Sequence, residues 1–98
     1  MDIDQAKTFL AIAAHGSFLE AAKRLHVTQS TVSARVQNLE NELGTRLFIR
    51  NRAGASLTPA GQRFLQHAKT LVLTVEQARY DVGLPNRFRA SIRIGGRI

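Results

Sequence analysis

The chain of 98 residues has no cysteine, no tryptophan, a single tyrosine and two prolines. Without cysteine, disulfides and thiolate metal sites are excluded, which fits a reducing compartment. No apolar run approaches the ~20 residues of a membrane-spanning helix. The start, MDIDQAKTF, is acidic and polar where a signal peptide is basic and then apolar. Neither a membrane partner nor a leader is therefore expected. The histidines His15, His26 and His67 lack ligand spacing, and no His/Asp/Ser set points to nucleophilic chemistry. No cofactor, no metal and no enzymatic activity are expected.

Acidic residues are also scarce: seven against fourteen lysines and arginines, for a formal net charge of +7. The imbalance is uneven. Residues 1–22 carry Lys7 against Asp2, Asp4 and Glu20, whereas residues 23–63 carry seven basic residues against Glu40 and Glu42. Residues 64–98 carry six against Glu76 and Asp81. A basic middle and end suit a polyanionic partner, nucleic acid first among them. With 44% hydrophobic residues, one small domain can form its own core.

Apolar spacing predicts four helices. Ile3, Ala6, Phe9, Leu10 and Ala13 mark the first, from about Asp4 to Ala14, stopped by Gly16. Ser17 with Glu20 is a capping-box signature for a short second helix, FLEAAKRL, burying Phe18, Ala21, Ala22 and Leu25. Thr28 can cap a third, with a stripe of Val32, Val36, Leu39 and Leu43, ending at Gly44. The period then changes. RLFI and SLT read as two short strands around the loop RNRAGAS, a hairpin with Arg50 and Arg52 in its tip region. Thr58 caps a fourth helix, and Pro59 sits at its first position, where a missing N–H does no harm. That helix runs to about Val82, roughly 36 Å at 1.5 Å per residue. Phe64, Ala68, Leu71, Val75, Ala78 and Val82 repeat along it at heptad spacing. It can fold back on its own domain or pair with a copy of itself, and the unbroken heptad favours pairing. Gly83 and Pro85 then break the helix, and SIRIGGRI alternates like a single strand. A lone strand has nothing to pair with, so a second domain outside this chain is expected.

The two short helices joined by HVT form a helix-turn-helix pattern. His26 stands in the turn, where glycine is common, and His tolerates positive φ better than most residues. At ~100° per residue, Ser30 and Ala34 lie opposite the valine stripe. Ser33 and Gln37 flank them on one side, and Thr31, Arg35 and Asn38 on the other. Gln29 lies nearer the core side by angle, but it is long and in the first turn. Small residues at the centre let a helix sit deep in a DNA major groove. There Gln can bridge adenine, Ser several base edges and Ala a thymine methyl. The open N–H groups of the helix start favour phosphate. The alternative is a merely solvated face, and the arginine-bearing hairpin that follows favours duplex DNA. RNA is disfavoured because stacking aromatics are absent from the helix front and Tyr80 lies in the fourth helix.

The segments GSF, AA..L, TQS.VS, LE..LG..LF.R and LT.AG, spread from Met1 to about Val82, closely resemble the N-terminal DNA-binding domain of LysR-type transcriptional regulators. IRIGG is similar to the first strand of that family's effector-binding domain. The resemblance implies a mostly α winged helix-turn-helix over 1–58 and a linker or dimerisation helix over 59–82. Residues 83–98 would be a hinge and the first strand of an effector-binding domain. It also implies binding to interrupted inverted repeats in promoter DNA as a dimer or tetramer, in the bacterial cytoplasm at the nucleoid. A small-molecule effector would act only through the absent domain. By position, Gln29 and Ser33 would reach bases, whereas the angular reading puts Ser30 and Ala34 at the centre of the face, so the two agree on the helix but rank its residues differently. Thr28 and Thr31 would hold the DNA backbone, Arg50 and Arg52 would serve the wing near phosphate or the minor groove, and Arg35, on the helix flank by angle, is expected at the backbone too. The heptad residues would join two subunits. The chain departs from the common pattern at Ser30 and Ala34, where Pro or Ala and Arg are frequent, and at Ala53, where Arg is frequent and Arg52 comes one step early.

Overall fold

The computed structural model describes residues 1–83; the strand expected in SIRIGGRI and most of the expected hinge lie outside the described residues. The chain order is α1 (Ile3–His15), α2 (Phe18–Leu25), α3 (Gln29–Leu43), β1 (Phe48–Asn51), β2 (Gly54–Leu57) and α4 (Pro59–Gly83). This is the expected winged helix-turn-helix followed by a long helix. Local signals explain the boundaries. Gly16 and Gly44 end α1 and α3 in the left-handed conformation, φ 70° and 73°. His26 does the same for α2 at φ 59°. Only half of the expected capping box forms at Ser17, whose Oγ accepts from the Glu20 N–H at 3.1 Å. The reciprocal box is at Asp2 and Gln5, each backbone N–H donating to the other's side chain, at 2.8 and 3.2 Å.

The core joins Phe9 and Ile12 of α1, Phe18, Ala21 and Ala22 of α2, and Val32, Val36 and Leu39 of α3. Leu47, Phe48 and Ala68 close it. Phe48 is the aromatic hub, with ring centroids 5.2 Å from Phe9 and 5.7 Å from Phe18. Three stripe expectations are corrected. On α1 the buried set is Ala6, Thr8, Phe9 and Ile12, while Leu10 and Ala13 are half-buried. Leu25 is half-buried as well. On α3 the last turn outruns the layer beneath it and leaves Leu43 exposed, whereas Glu40, one turn beyond Val36, is buried.

The strands pair antiparallel, Phe48 opposite Leu57 through Asn51 opposite Gly54, with Arg52 and Ala53 as the turn. The hairpin therefore sits nearer its turn than RLFI and SLT suggested. The cause is that residues 46 and 47 are used as an anchor. The Leu47 N–H donates to Glu40 Oε2 at 2.7 Å, its carbonyl accepts from the Thr58 N–H at 3.0 Å, and Thr58 Oγ1 donates to the Arg46 carbonyl at 2.7 Å. At the other end of the wing, the Ala55 N–H donates to the Gly16 carbonyl at 2.8 Å. Gly54, at φ 136°, is packed so that a Cβ would lie 2.2 Å from that same oxygen.

Thr58 caps α4 by accepting from the Gly61 N–H at 3.0 Å. The helix is 25 residues long, and its first half lies on its own domain. Phe64 stacks edge-on against Phe9 at 4.9 Å, Ala68 is fully buried, and Lys7 reaches Glu76 at 3.9 Å. Every residue from Glu76 to Gly83 is exposed, and the molecule measures 51 × 25 × 19 Å. The heptad is thus divided. Ala68 is fully buried in its own domain and has no surface left for a second subunit, whereas Phe64 is half-buried, packed on Phe9 with part of its surface open. Leu71 and Val75 are half-buried, while Ala78 and Val82 are exposed. The reason is length: a short domain covers only about half of so long a helix.

Candidate nucleic-acid interface

α3 is fastened by Val32, Val36 and Leu39, which fixes what it turns outward. Gln29, Ser30 and Ala34 are exposed, as are Gln37 and Asn38, and Thr31, Ser33 and Arg35 are half-buried. Thr28 caps the helix through the Thr31 N–H at 3.1 Å, and its hydroxyl also lies 2.9 Å from that of Thr31 and 3.1 Å from that of Ser30. No acidic residue stands in the first turn. The helix start therefore presents hydroxyls and the positive end of its dipole, an arrangement that attracts phosphate. Among the described residues, the Gln29 and Ser33 side chains have no partner within the chain. Their hydrogen-bonding groups are open to an external ligand.

Two arginines are placed differently from expectation. Arg35 turns partly inward: its Nη1 donates to Thr8 Oγ1 at 3.3 Å, and that buried hydroxyl donates to the Asp4 carbonyl at 2.7 Å. Arg35 thus braces α3 against α1, and only its remaining N–H groups can face DNA backbone. Arg50 does not lie at the wing tip. It is in β1 opposite Ala55, its guanidinium carbon 4.0 Å from the centroid of the Phe18 ring. Side chains two apart on a strand share a face, so Arg50 follows Phe48 toward the helices. Arg52 alone occupies the turn, exposed.

Where β1 meets α3 there is a small cavity of about 120 Å³, lined by Ser33 and Gln37 from the helix and by Arg46 and Arg50 from the wing side, with Phe18 and Glu40 among its walls. Sequence reasoning missed Phe18, Glu40 and Arg46 as parts of this surface. A signal existed for Glu40, which follows Val36 by four residues and so falls beside the apolar stripe. None existed for Arg46, whose place depends on the loop geometry. The assembled surface is an outward polar helix front flanked by guanidinium groups, a shape and charge suited to a duplex groove and its phosphates. Among the described residues, no group of three or more His, Asp or Glu side chains could hold a metal ion, and no helix is long and apolar enough to cross a membrane.

Comparison with known proteins gives the family. The family described as bacterial regulatory helix-turn-helix protein, lysR family, matches residues 3–62. The HTH-type transcriptional regulator HdfR of Yersinia enterocolitica is 46% identical over 82 residues, covering 84% of this chain and 28% of that protein. HdfR of an Escherichia coli O139:H28 strain is 44% identical over 87 residues, covering 89% and 31%. The chain thus spans about three-tenths of the length of the curated relatives it matches. Among solved structures, the CbnR DNA-binding domain in complex with DNA superposes at TM-score 0.78 with 36% identity, covering 93% of this chain and all of that one. The BenM DNA-binding domain bound to benA site 1 DNA gives 0.77 and 34%, covering 85% and 96%.

Proposed function

The chain belongs to the LysR family of bacterial regulatory helix-turn-helix proteins, as the DNA-binding domain of a transcriptional regulator, and on that premise we propose that it reads promoter DNA by laying α3 in the major groove. The observation that carries this reading is the outward polar front of α3, where Gln29 and Ser33 have no partner among the described residues, on a helix whose back is locked into the core. Gln29 and Ser33 make the base contacts, Ser30 and Ala34 form the thin centre that lets the helix approach, and Thr28 and Thr31 hold phosphate. Arg52 follows the backbone from the wing turn. Phosphate neutralisation supplies much of the affinity, and base contacts supply the choice of sequence.

Two copies would engage an inverted repeat, joined through the part of α4 that its own domain leaves uncovered. Leu71, Val75, Ala78 and Val82 provide that surface, with Leu73 also 56% exposed. An open apolar cleft between α1, β2 and α4, lined by Leu10, Ala13, Ala14, Leu57 and Leu65, adds to the apolar area near it. In functional terms the domain body is 1–58 together with the first turns of α4, and the rest of the helix is the joint. A small-molecule effector would act through a further domain beyond residue 83, shifting the angle or spacing of the two reading heads. Selection of bound duplexes from a random DNA library tests the reading. A recovered motif with two related half-sites is expected; recovery of no motif would refute sequence-specific recognition.

A further inference from the structure

The geometry points to Phe18 as a positioning residue for DNA binding: its ring holds the Arg50 guanidinium at the seam between α3 and the wing. Arg50 there meets the same stretch of DNA that Ser33 and Gln37 face. The inference rests on the DNA-binding reading above. Four observations carry it. The guanidinium carbon lies 4.0 Å above the Phe18 ring, within the range of a cation–π contact. Phe18 is itself immobile, being 6% exposed and packed edge-on against Phe48 at 5.7 Å, which in turn packs on Phe9 at 5.2 Å. Arg50 therefore rests on a ladder of rings rooted in the core. The cavity at its side is shared with Ser33 and Gln37 of the reading helix. Finally, among the described residues the charge of Arg50 is not matched by a carboxylate: the one carboxylate of that cavity, Glu40, is already engaged by the Leu47 N–H and by Arg46 at 3.5 Å.

A flexible surface arginine loses rotamer freedom when it grips a phosphate. One stacked on a fixed ring has lost much of that freedom beforehand, and the planar guanidinium keeps its edge N–H donors turned outward. The wing strand then does more than follow the backbone. It brings a pre-set cation to the flank of the reading helix, so that helix and strand bind one segment together.

The test is a double-mutant cycle in DNA binding with Phe18→Leu, Arg50→Ala and the pair, on a mixed-sequence duplex and on a duplex selected by the wild-type chain. Phe18→Leu keeps the core apolar while removing the π face, and Phe18→Tyr serves as the conservative control. Circular dichroism and the urea midpoint identify any variant that is unfolded. Arg50→Ala is expected to weaken binding to both duplexes by about tenfold and to reduce the salt slope by about one. Phe18→Leu is expected to weaken it about threefold, Phe18→Tyr to restore it, and Phe18→Leu to have no further effect once Arg50 is Ala. Multiplicative losses in the double mutant overturn the inference, because a merely structural Phe18 acts whether or not Arg50 is present. A Phe18→Leu protein too unstable to bind moves the test to Phe18→Met in the same cycle, with the same two outcomes. Wild-type protein that binds no duplex overturns the functional reading and this inference with it, whereas a binding wild type with multiplicative losses overturns the inference alone.

Discussion

Glu40 offers the sharpest test of how the wing is held to the reading helix. Glu40 is 7% exposed, its carboxylate accepts from the Leu47 N–H at 2.7 Å, and Leu47 is 1% exposed. Glu40→Ala leaves that N–H buried without an acceptor, which costs about 1–3 kcal/mol, and removes a bond to a charged group worth about 1.5–3 kcal/mol. These overlap, and the better helix propensity of Ala returns a few tenths of a kcal/mol, so a net loss of about 2–3 kcal/mol is expected. For a domain of this size that lowers Tm by about 10–20 °C. Glu40→Gln keeps an acceptor oxygen in the same place and should lose under about 1.5 kcal/mol. Arg46→Ala should lose under about 1 kcal/mol, because the Arg46 side chain is 74% exposed and its ion pair is screened by water. Urea denaturation followed by circular dichroism gives all three values. The order Ala, then Gln, then Arg46→Ala is the prediction. A Glu40→Ala protein as stable as Arg46→Ala would show that the carboxylate does not carry the anchor.

Three further substitutions probe other joints. Gly61→Ala would place a Cβ 2.3 Å from the Leu47 carbonyl oxygen, so a loss of about 1–3 kcal/mol is expected from overpacking despite the better helix former; a more stable protein would show that α4 can move freely off the wing. His26→Gly removes a left-handed non-glycine residue at φ 59° and should raise stability by about 0.5–1 kcal/mol in the same denaturation assay, with a loss counting against backbone strain there. Val75→Glu should convert dimers to monomers in light scattering, and dimers that persist would move the joint away from α4.

Much of the fold was legible because helix ends and stripes are local properties. Thr28, Gly44 and Thr58 act where capping chemistry put them, and Val32, Val36 and Leu39 face the core that their spacing implied. What was not legible depends on where elements meet. The heptad on α4 reads as one surface in sequence, but α1 covers its first half, and only the tertiary arrangement shows that Ala68 is core. Thr8 and Glu40 are buried polar groups whose partners, Arg35 and the Leu47 N–H, lie 27 and 7 residues away. Propensity contains no signal for such pairs. Gln29 falls nearer the core side by angle and reaches the front of α3 by its length and its position in the first turn, whereas Ser30, Ser33 and Ala34 could be placed on that front by angle alone. Arg50 could not, because its position depends on β1 beginning at Phe48 and so on the anchor at residues 46 and 47.

The central claim is that the front of α3 reads bases, and Gln29→Ala measures it most directly. Wild type and variant are titrated against the duplex selected by the wild type and against a mixed-sequence duplex at the same salt. A loss of about 1–3 kcal/mol is expected on the selected duplex and little change on the mixed one. Equal losses on both duplexes would contradict it, since a residue that touches only phosphate, or only supports the fold, cannot tell the two apart.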